Sequence, residues 1–265
     1  MKASTVLATL MGACGVLAAP TWPEVNRFSG FDSNDAISEY FNALAEQVSK
    51  GKQLDTGCDL SKAQMPTITG LGAVDSGLVL KHVAIGRGTQ NYTCDLSNAT
   101  AAPAQVGALA TLFNASCVAA SYPSVMQQLP RLALAYNVTT ADDGAPATTQ
   151  DSLGPTNMYV SGKHLFLNTT TPFFNLDTTN GEYGQAAAHK TSSVTAPTDA
   201  PTGQQGEAAV TWLKLEANPG QATGGLANVF RVNTAGGSPP ASCSGMPATF
   251  QVQYAAEYWF WETSS

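Results

Sequence analysis

Charged residues are scarce in this chain of 265 residues, where Asp, Glu, Lys and Arg together make up only 12%. Its surface must therefore be built largely from Thr, Ser, Asn, Gln and Gly. Basic residues are the scarcer sign, because 12 Lys and Arg stand against 19 Asp and Glu, for a formal charge of −7. Such a charge opposes attraction to phosphate backbones and anionic lipid, so we expect neither nucleic acid nor a membrane as a partner.

Motifs for catalysis and metal binding are also missing. No serine lies in a G-x-S-x-G sequence, and the histidines His82, His164 and His189 have no diagnostic neighbours. The sequence has no C-x-x-C pair and no closely spaced histidines that would predict a metal site. We expect no metal and no cofactor, and the catalytic residues are unknown. Triads are assembled in space, so each histidine remains open as a base.

A glycine-rich stretch, residues 69–77, imitates the phosphate-binding turn of a dinucleotide fold. That turn works between a buried strand and a helix, with an acidic residue for the ribose about 20 positions later. Here the following residues, 78–84, have the pattern of a strand. The sequence therefore argues against nicotinamide binding.

The first 19 residues have the plan of a signal peptide. Met1 and Lys2 precede an uncharged, mostly apolar run that ends in small residues before Pro20. The run is shorter than the roughly 20 residues that cross a bilayer. We expect cleavage after Ala18 or Ala19 and a secreted product, either extracellular or in the cell wall.

Asparagines in N-x-[ST] sequons predict surface positions that carry glycans in the secretory pathway. There are five of them, Asn91, Asn98, Asn114, Asn137 and Asn168. Chance explains any single one in a chain rich in Asn, Thr and Ser. Downstream of a signal peptide, the set as a whole favours an N-glycosylated protein.

Cysteine usage agrees with export. Cys14 falls in the predicted signal peptide, and four cysteines remain: Cys58, Cys94, Cys117 and Cys243. In an oxidising compartment they predict two bridges, and the sequence allows three pairings. We favour a bridge between Cys94 and Cys117, which closes a short loop, and one between Cys58 and Cys243.

The clearest helix is predicted over residues 32–50, where apolar residues recur at three- and four-residue spacing. Further helices are expected over residues 104–113 and over 124–135, where Pro130 should interrupt the pattern. Alternating patterns predict strands over residues 78–84, 89–94, 158–160, 164–167, 208–215, 227–233 and 249–261. Ser161 and Gly162 are expected to form a hairpin turn, and residues 177–206 a long loop.

These elements predict a mainly-β fold, an antiparallel sandwich or a distorted barrel, with an N-terminal amphipathic helix and a small helical insertion. After the signal peptide, residues 20–53 would form the helical segment. Residues 54–262 would form a single domain, with the insertion near residues 99–135.

Carboxylates and aromatic rings offer two further kinds of site. Glu207, Glu216, Glu257 and Glu262 lie in or beside predicted strands, but the sequence selects no catalytic pair. On the last strand, Tyr254, Tyr258 and Phe260 share one face, and Trp259 and Trp261 share the other. Packing in the core is the favoured role of these rings, and a platform for sugar stacking is the alternative.

Three segments carry a family resemblance: residues 88–94 (GTQNYTC), 210–215 (VTWLKL) and 231–240 (RVNTAGGSPP), the last followed by Cys243. Together they resemble a secreted family of bacteria and fungi that is catalogued as a domain of unknown function. Fungal members often bear the label malate dehydrogenase, which the glycine-rich stretch does not support. The resemblance implies no established catalytic residues.

The same segments contain polar residues that can form a pocket where two strands meet: Gln90, Tyr92, Arg231 and Asn233. The planar fork of Arg231 suits an anionic or sugar ligand. Alternatively, Arg231 has a structural role and donates hydrogen bonds to loop carbonyls.

Two functions remain open. The sequence favours the first, a non-catalytic extracellular or wall-associated glycoprotein that binds an extracellular ligand such as cell-wall polysaccharide. The other is a secreted enzyme, a hydrolase rather than an oxidoreductase. Two facing carboxylates, or a histidine bonded to a serine, would favour the enzyme.

Overall fold

The computed structural model describes residues 58–135, 152–153 and 158–264. Eight antiparallel strands form a closed barrel in which each strand pairs with the next in sequence and the last closes on the first. The strands are β1 (Leu78–Thr93), β2 (Ala104–Asn114), β3 (Val160–Phe166), β4 (Pro172–Thr178), β5 (Gly181–Val194), β6 (Trp212–Ala222), β7 (Leu226–Gly236) and β8 (Thr249–Thr263). The mainly-β class is thereby confirmed, in its barrel form.

Short helices connect β2 to β3: α1 (Ser116–Ser121), α2 (Pro123–Met126) and α3 (Leu129–Ala135). A 3-10 turn, Leu60–Lys62, lies ahead of β1 in the described residues. Across residues 58–135 and 158–264, no helix is long and apolar enough to cross a bilayer.

Alternate side chains of the strands point into and out of the barrel, because successive residues of a strand face opposite ways. On β8, Tyr254, Tyr258 and Phe260 belong to the cluster inside the barrel, while Ala255 and Trp259 belong to the cluster outside it. Both faces of β8 are therefore core, in agreement with the favoured packing role of these rings.

Small residues line much of the inner wall and leave space for these rings. Alanines from several strands belong to the inner cluster: Ala84, Ala110, Ala186, Ala188 and Ala256. Gly86 on β1 lies against the ring of Tyr258, which a Cβ at that position would overlap. An eight-stranded barrel is just wide enough for its interior to be filled by side chains, so each small residue permits a large one opposite.

The outer cluster lies between the barrel and the helices. Helix α3 packs across β1, β7 and β8. Its Leu134 and the nearby Met126 join Val232 and Trp259 in one buried group. The helices therefore cover the outer side of the barrel at β8 and at its two neighbours, β1 and β7.

The helix expected over residues 104–113 is wrong, since this segment is β2. Alanine favours helices, but that preference is weak compared with tertiary context. Hydrogen bonds to β1 and β3 on either side hold the segment extended. Ala110 and Leu112 then reach the inner cluster with the period of a strand.

The loop expected over residues 177–206 is wrong for its first half, because β5 runs through it, and right for residues 195–206, which form no helix or strand. The inner positions of β5 hold small alanines such as Ala186 and Ala188, and residues 189–191 are exposed. A strand of this composition lacks the bulky apolar alternation by which strands are usually predicted.

The turn expected at Ser161 and Gly162 is wrong as well, because both residues lie within β3. A Cβ at Gly162 would stand 2.5 Å from the carbonyl oxygen of Asn175. The glycine therefore reflects the close approach of β4 rather than a chain reversal.

The two strands expected over residues 78–84 and 89–94 are a single strand, β1.

The helical prediction for residues 124–135 is confirmed in outline by α2 and α3. The chain breaks before Pro130, which is the second residue of α3, a position where the missing N–H costs little. The helix predicted over residues 32–50 lies outside the described residues.

The favoured cysteine pairing is wrong, although all four cysteines are paired. Cys58 pairs with Cys117 and Cys94 with Cys243, with Cα atoms 5.2 and 5.5 Å apart. The second bridge follows from the barrel, because Thr93 at the end of β1 lies opposite Thr249 at the start of β8. That register brings the residues that flank the two strands together.

Candidate ligand site inside the barrel

A buried arginine lies inside the barrel. Arg231 on β7 faces inward between Leu213 of β6 and Tyr258 of β8, its partners across the sheet. The residue is only 5% exposed. Its Nη2 donates to the carbonyl oxygen of Thr211 at 2.9 Å, while its Nε is buried without a hydrogen-bond partner. Thr211 is exposed, which places the guanidinium close to one end of the barrel.

Arg231 has no ionic partner in the described part of the chain. The ion pairs there join Lys62, Lys81 and Lys214 to carboxylates, and none includes Arg231. Burying a charge is costly unless it is paired and hydrogen-bonded. The barrel therefore holds a desolvated cation whose hydrogen-bonding capacity is only partly used.

Two tyrosines complete the inner side of the site. The hydroxyl oxygens of Tyr254 and Tyr258 lie 2.7 Å apart and share a hydrogen bond. Burial raises the pKa of both phenols, and the positive charge of Arg231 opposes that rise. Both phenols are therefore neutral at physiological pH and present hydroxyl groups rather than anions.

Gln90 and Tyr92 on β1 form the wall nearest the rim. Gln90 accepts a hydrogen bond from Nε2 of Gln105 at 2.5 Å, whereas its own Nε2 is buried without a partner. Tyr92 donates to the carbonyl oxygen of Gly237 at 2.8 Å. Burial raises the pKa of Tyr92 to about 12, with the charge of Arg231 opposing the rise. Three of the four residues predicted to form a polar pocket thus share the barrel interior.

His164 on β3 is a member of this cluster that the sequence did not single out for the pocket. Its Nδ1 lies 3.0 Å from the carbonyl oxygen of Phe173, and its ring stacks on Phe174 at 4.3 Å. A carbonyl can only accept, so Nδ1 carries the hydrogen and Nε2 is left as an acceptor. Burial lowers the pKa of His164 to about 4, so the ring is neutral near pH 7.

Asn233, the fourth residue predicted for the pocket, lies on the opposite side of the sheet wall. It has a φ of 46°, at an irregularity where the pairing of β7 with β8 shifts. Its Nδ2 donates to Oε1 of Glu257 at 2.9 Å and to the carbonyl oxygen of Gln127 at 2.7 Å. The residue fastens the helices to the barrel and does not face the ligand site.

Glu257 is a buried carboxyl group beneath those helices. Besides Asn233, Nε1 of Trp259 donates to its Oε2 at 2.9 Å. Burial raises the pKa of Glu257 to about 7, although both hydrogen bonds oppose the rise. The group is therefore protonated in mildly acidic solution.

The other glutamates have separate partners. Glu207 accepts from the backbone N–H of Gln205, Glu216 lies 3.7 Å from Nζ of Lys214, and Glu262 pairs with Lys81. No two of these glutamates share a hydrogen-bond partner in the described residues. The arrangement gives no support to a carboxylate pair across a cleft.

A histidine bonded to serines lies at a second position in the wall. Nε2 of His82 lies 2.9 Å from Oγ of Ser161, and its Nδ1 lies 3.1 Å from Oγ of Ser116. His82 is 1% exposed and stacks on Tyr183 at 4.5 Å. Burial lowers the pKa of His82 to about 3, which makes the ring a poor base at neutral pH.

The serines of this group also serve the backbone. Ser116 accepts from the N–H of Val83 at 3.1 Å, and Ser161 lies within 3.4 Å of the carbonyl oxygen of Leu112. Both serines are buried with the histidine. The group resembles a satisfied polar joint between β1, β3 and α1 more than an accessible nucleophile.

The glycine-rich stretch forms a loop against the outer face of the barrel. It is followed by β1, as the sequence predicts, and not by a helix. The loop and Phe230 enclose a cleft of 430 Å³, lined by Met65, Pro66, Thr67, Ile68, Gly70, Leu71, Gly72, Ala73 and Val74. The lining carries no charged side chain that could hold a phosphate.

The sequons differ in their exposure. Asn98 and Asn168 are exposed, whereas Asn91 and Asn114 are half-buried beside paired strands. Asn137 lies outside the described residues. The exposed pair offers the most room for a glycan.

A family model described as "Protein of unknown function (DUF3455)" matches residues 75–262, from just before β1 to near the end of β8. The match confirms the resemblance to a domain family of unknown function. No curated protein and no solved structure shows a significant match.

Proposed function

The chain belongs to that family, whose description states no activity, and we propose a function from the barrel site itself. In this proposal the protein is a secreted, N-glycosylated, non-catalytic binding protein. It holds a small polar ligand, or one polar end of a larger extracellular one, at the Arg231 end of the barrel. Cell-wall carbohydrate is the ligand class that the proposed location makes available.

One observation carries the proposal: Arg231 is buried inside the barrel without a carboxylate partner among the described residues. Stability alone gives no reason for this residue, because an apolar side chain of similar volume would avoid the cost of desolvating a charge. Ligand sites occur in the mouths of β-barrels, and Arg231 lies close to one end of this one. A bound partner would complete the hydrogen bonding of the guanidinium.

The proposed location rests on independent features. The predicted signal peptide and the sequons favour secretion, and two cysteine pairs at bridging distance agree with an oxidising compartment. The shortage of charged residues fits the same setting.

A secreted hydrolase is the second candidate, because His82 is hydrogen-bonded to Ser161. That contact meets a condition under which the sequence favours an enzyme. The burial of both residues and the low pKa of His82 make the binding role the better supported.

The test combines a glycan array and a polysaccharide pull-down of the secreted protein with a broad hydrolase screen. The variants are Arg231→Met, which removes the inner cation, and Arg131→Met, which removes a half-buried cation from α3 outside the barrel. We expect retention without turnover, lost in Arg231→Met and kept in Arg131→Met.

Two results would overturn the proposal. Turnover that disappears in a Ser161→Ala variant would make the protein an enzyme. Retention that is equal in wild type and Arg231→Met would place binding elsewhere. Circular dichroism and thermal unfolding of each variant separate a lost site from a lost fold.

A further inference from the structure

Two buried polar atoms of the barrel site lack a hydrogen-bond partner, Nε of Arg231 and Nε2 of Gln90. Both are N–H donors, so a ligand that completes them must supply acceptors. A neutral sugar hydroxyl is both donor and acceptor, whereas a carboxylate only accepts.

The charge of the site points the same way. Burial holds the pKa of His164 at about 4 and raises the pKa values of Tyr254 and Tyr258. These three groups are therefore neutral at physiological pH. Arg231 alone is charged, so the site has a net charge of about +1, which one anionic group would neutralise.

The geometry of the guanidinium narrows the ligand further. Nη2 of Arg231 donates to Thr211, and its Nε–H is buried without a partner. The N–H donors of a guanidinium lie in one plane, which matches the two oxygens of a carboxylate. A spherical anion such as chloride cannot use both donors equally well.

We propose that the barrel site binds a ligand through a single carboxylate group, held by Nε–H of Arg231 and by Nε2 of Gln90. This inference rests on the proposed binding function and names its ligand class. The aromatic rings of Tyr254 and Tyr258 would then face the body of the ligand.

The experiment uses matched pairs of probes that differ only in the acid group. Galacturonate is compared with galactose and benzoate with benzyl alcohol, and sodium sulfate serves as a non-planar anion. Isothermal titration calorimetry of the full secreted protein at pH 7 measures each affinity. We expect at least one acid to bind tenfold or more tightly than its neutral partner and than sulfate.

Variants assign the effect to named atoms. Arg231→Met should abolish the preference for the acid, and Arg231→Lys, which keeps the charge but loses the fork, should lose most of it. Gln90→Leu should weaken acid binding while leaving the Arg231 contact. Arg131→Met should bind as wild type does.

The outcomes separate the two proposals. A neutral probe that binds as tightly as its acid, with both lost in Arg231→Met, overturns the carboxylate and leaves the binding site. Sulfate that binds as tightly as the acids overturns the planar contact. No binding by any probe overturns the carboxylate inference, and the glycan array then decides the binding function independently. If the Arg231→Met variant does not fold, the Arg231→Lys variant takes its place in this comparison.

Discussion

The buried carboxyl of Glu257 should make the stability of the protein depend on pH in a specific way. Burial raises its pKa from 4.5 to about 7. A folded state that holds a proton more tightly than the unfolded state gains stability at low pH. This contribution is complete below about pH 4.5 and disappears as the pH rises through 7. Its full size is about 3 kcal/mol, at 1.36 kcal/mol for each unit of pKa.

The buried histidines act in the opposite direction. Burial lowers the pKa of His82 from 6.5 to about 3 and that of His164 from 6.5 to about 4. Below pH 6.5 these two histidines are protonated in the unfolded chain but not in the folded state, so stability falls as the pH drops below 6.5. Between pH 4.5 and 6.5 the two histidines add about 2.7 kcal/mol per pH unit, and Glu257 subtracts about 1.4 kcal/mol per unit.

Replacing Glu257 by Gln isolates the contribution of Glu257 to the pH dependence of stability. Wild type should gain about 1.4 kcal/mol of unfolding free energy per unit from pH 4.5 to 6.5, and Glu257→Gln should gain about twice as much. Guanidinium unfolding with the disulfides intact, followed by tryptophan fluorescence at half-unit steps of pH, measures both slopes. Glu182→Gln, which removes an exposed carboxylate from β5, is the control for the change in charge. Equal slopes in wild type and Glu257→Gln, at equal m-values, would refute the reasoning.

Two further predictions concern packing and modification. Gly86→Ala should lower the free energy of unfolding by roughly 1–3 kcal/mol, because its Cβ would overlap the buried ring of Tyr258. An unchanged melting temperature in a thermal scan would contradict this. Asn98 and Asn168 should carry glycans at higher occupancy than Asn114, because Asn98 and Asn168 are exposed and Asn114 is half-buried. Enzymatic deglycosylation in heavy-oxygen water followed by peptide mass spectrometry measures occupancy, and an empty Asn168 would count against the exposure argument.

The strands with strong apolar alternation were predictable from the sequence. In β8 both faces are apolar, and the period of two assigns Tyr254 and Tyr258 to one side and Trp259 to the other, as the structure has them. The same alternation places Arg231 and Val232 on opposite faces of β7. Periodicity succeeds here because bulky side chains mark each face.

Strands built from small residues were not predictable. β2 and β5 present alanine to the interior because large rings from β8 already fill the space opposite. That requirement arises only once the barrel has closed, and a local pattern does not contain it. The cysteine pairing failed for the same reason, since it depends on the long-range register of β1 with β8.

The site shows the same division between local and distant information. Gln90, Tyr92 and Arg231 were found because they are polar residues of the segments that carry the family resemblance, and Arg231 alternates with Val232 on a predicted strand. Asn233 was misplaced because a local irregularity in β7 interrupts the alternation just after Val232. His164 was missed because its role depends on β3 lying near β7 across the barrel, and its only signal was a lone histidine in a strand-like segment.

The two faces of β7 explain why binding and stability should be separable in this protein. Arg231 points into the barrel, where its cation costs stability, whereas Asn233, two residues later, fastens Glu257 and the helices outside. Removing a buried cation is often neutral or stabilising when an apolar residue fills its volume. Removing Asn233 instead leaves a buried carboxyl with one donor fewer, which costs about 1–3 kcal/mol. The proposed ligand site would account for a cation that costs stability inside the barrel, whereas Asn233 is accounted for by the carboxyl group and the helices that it holds in place.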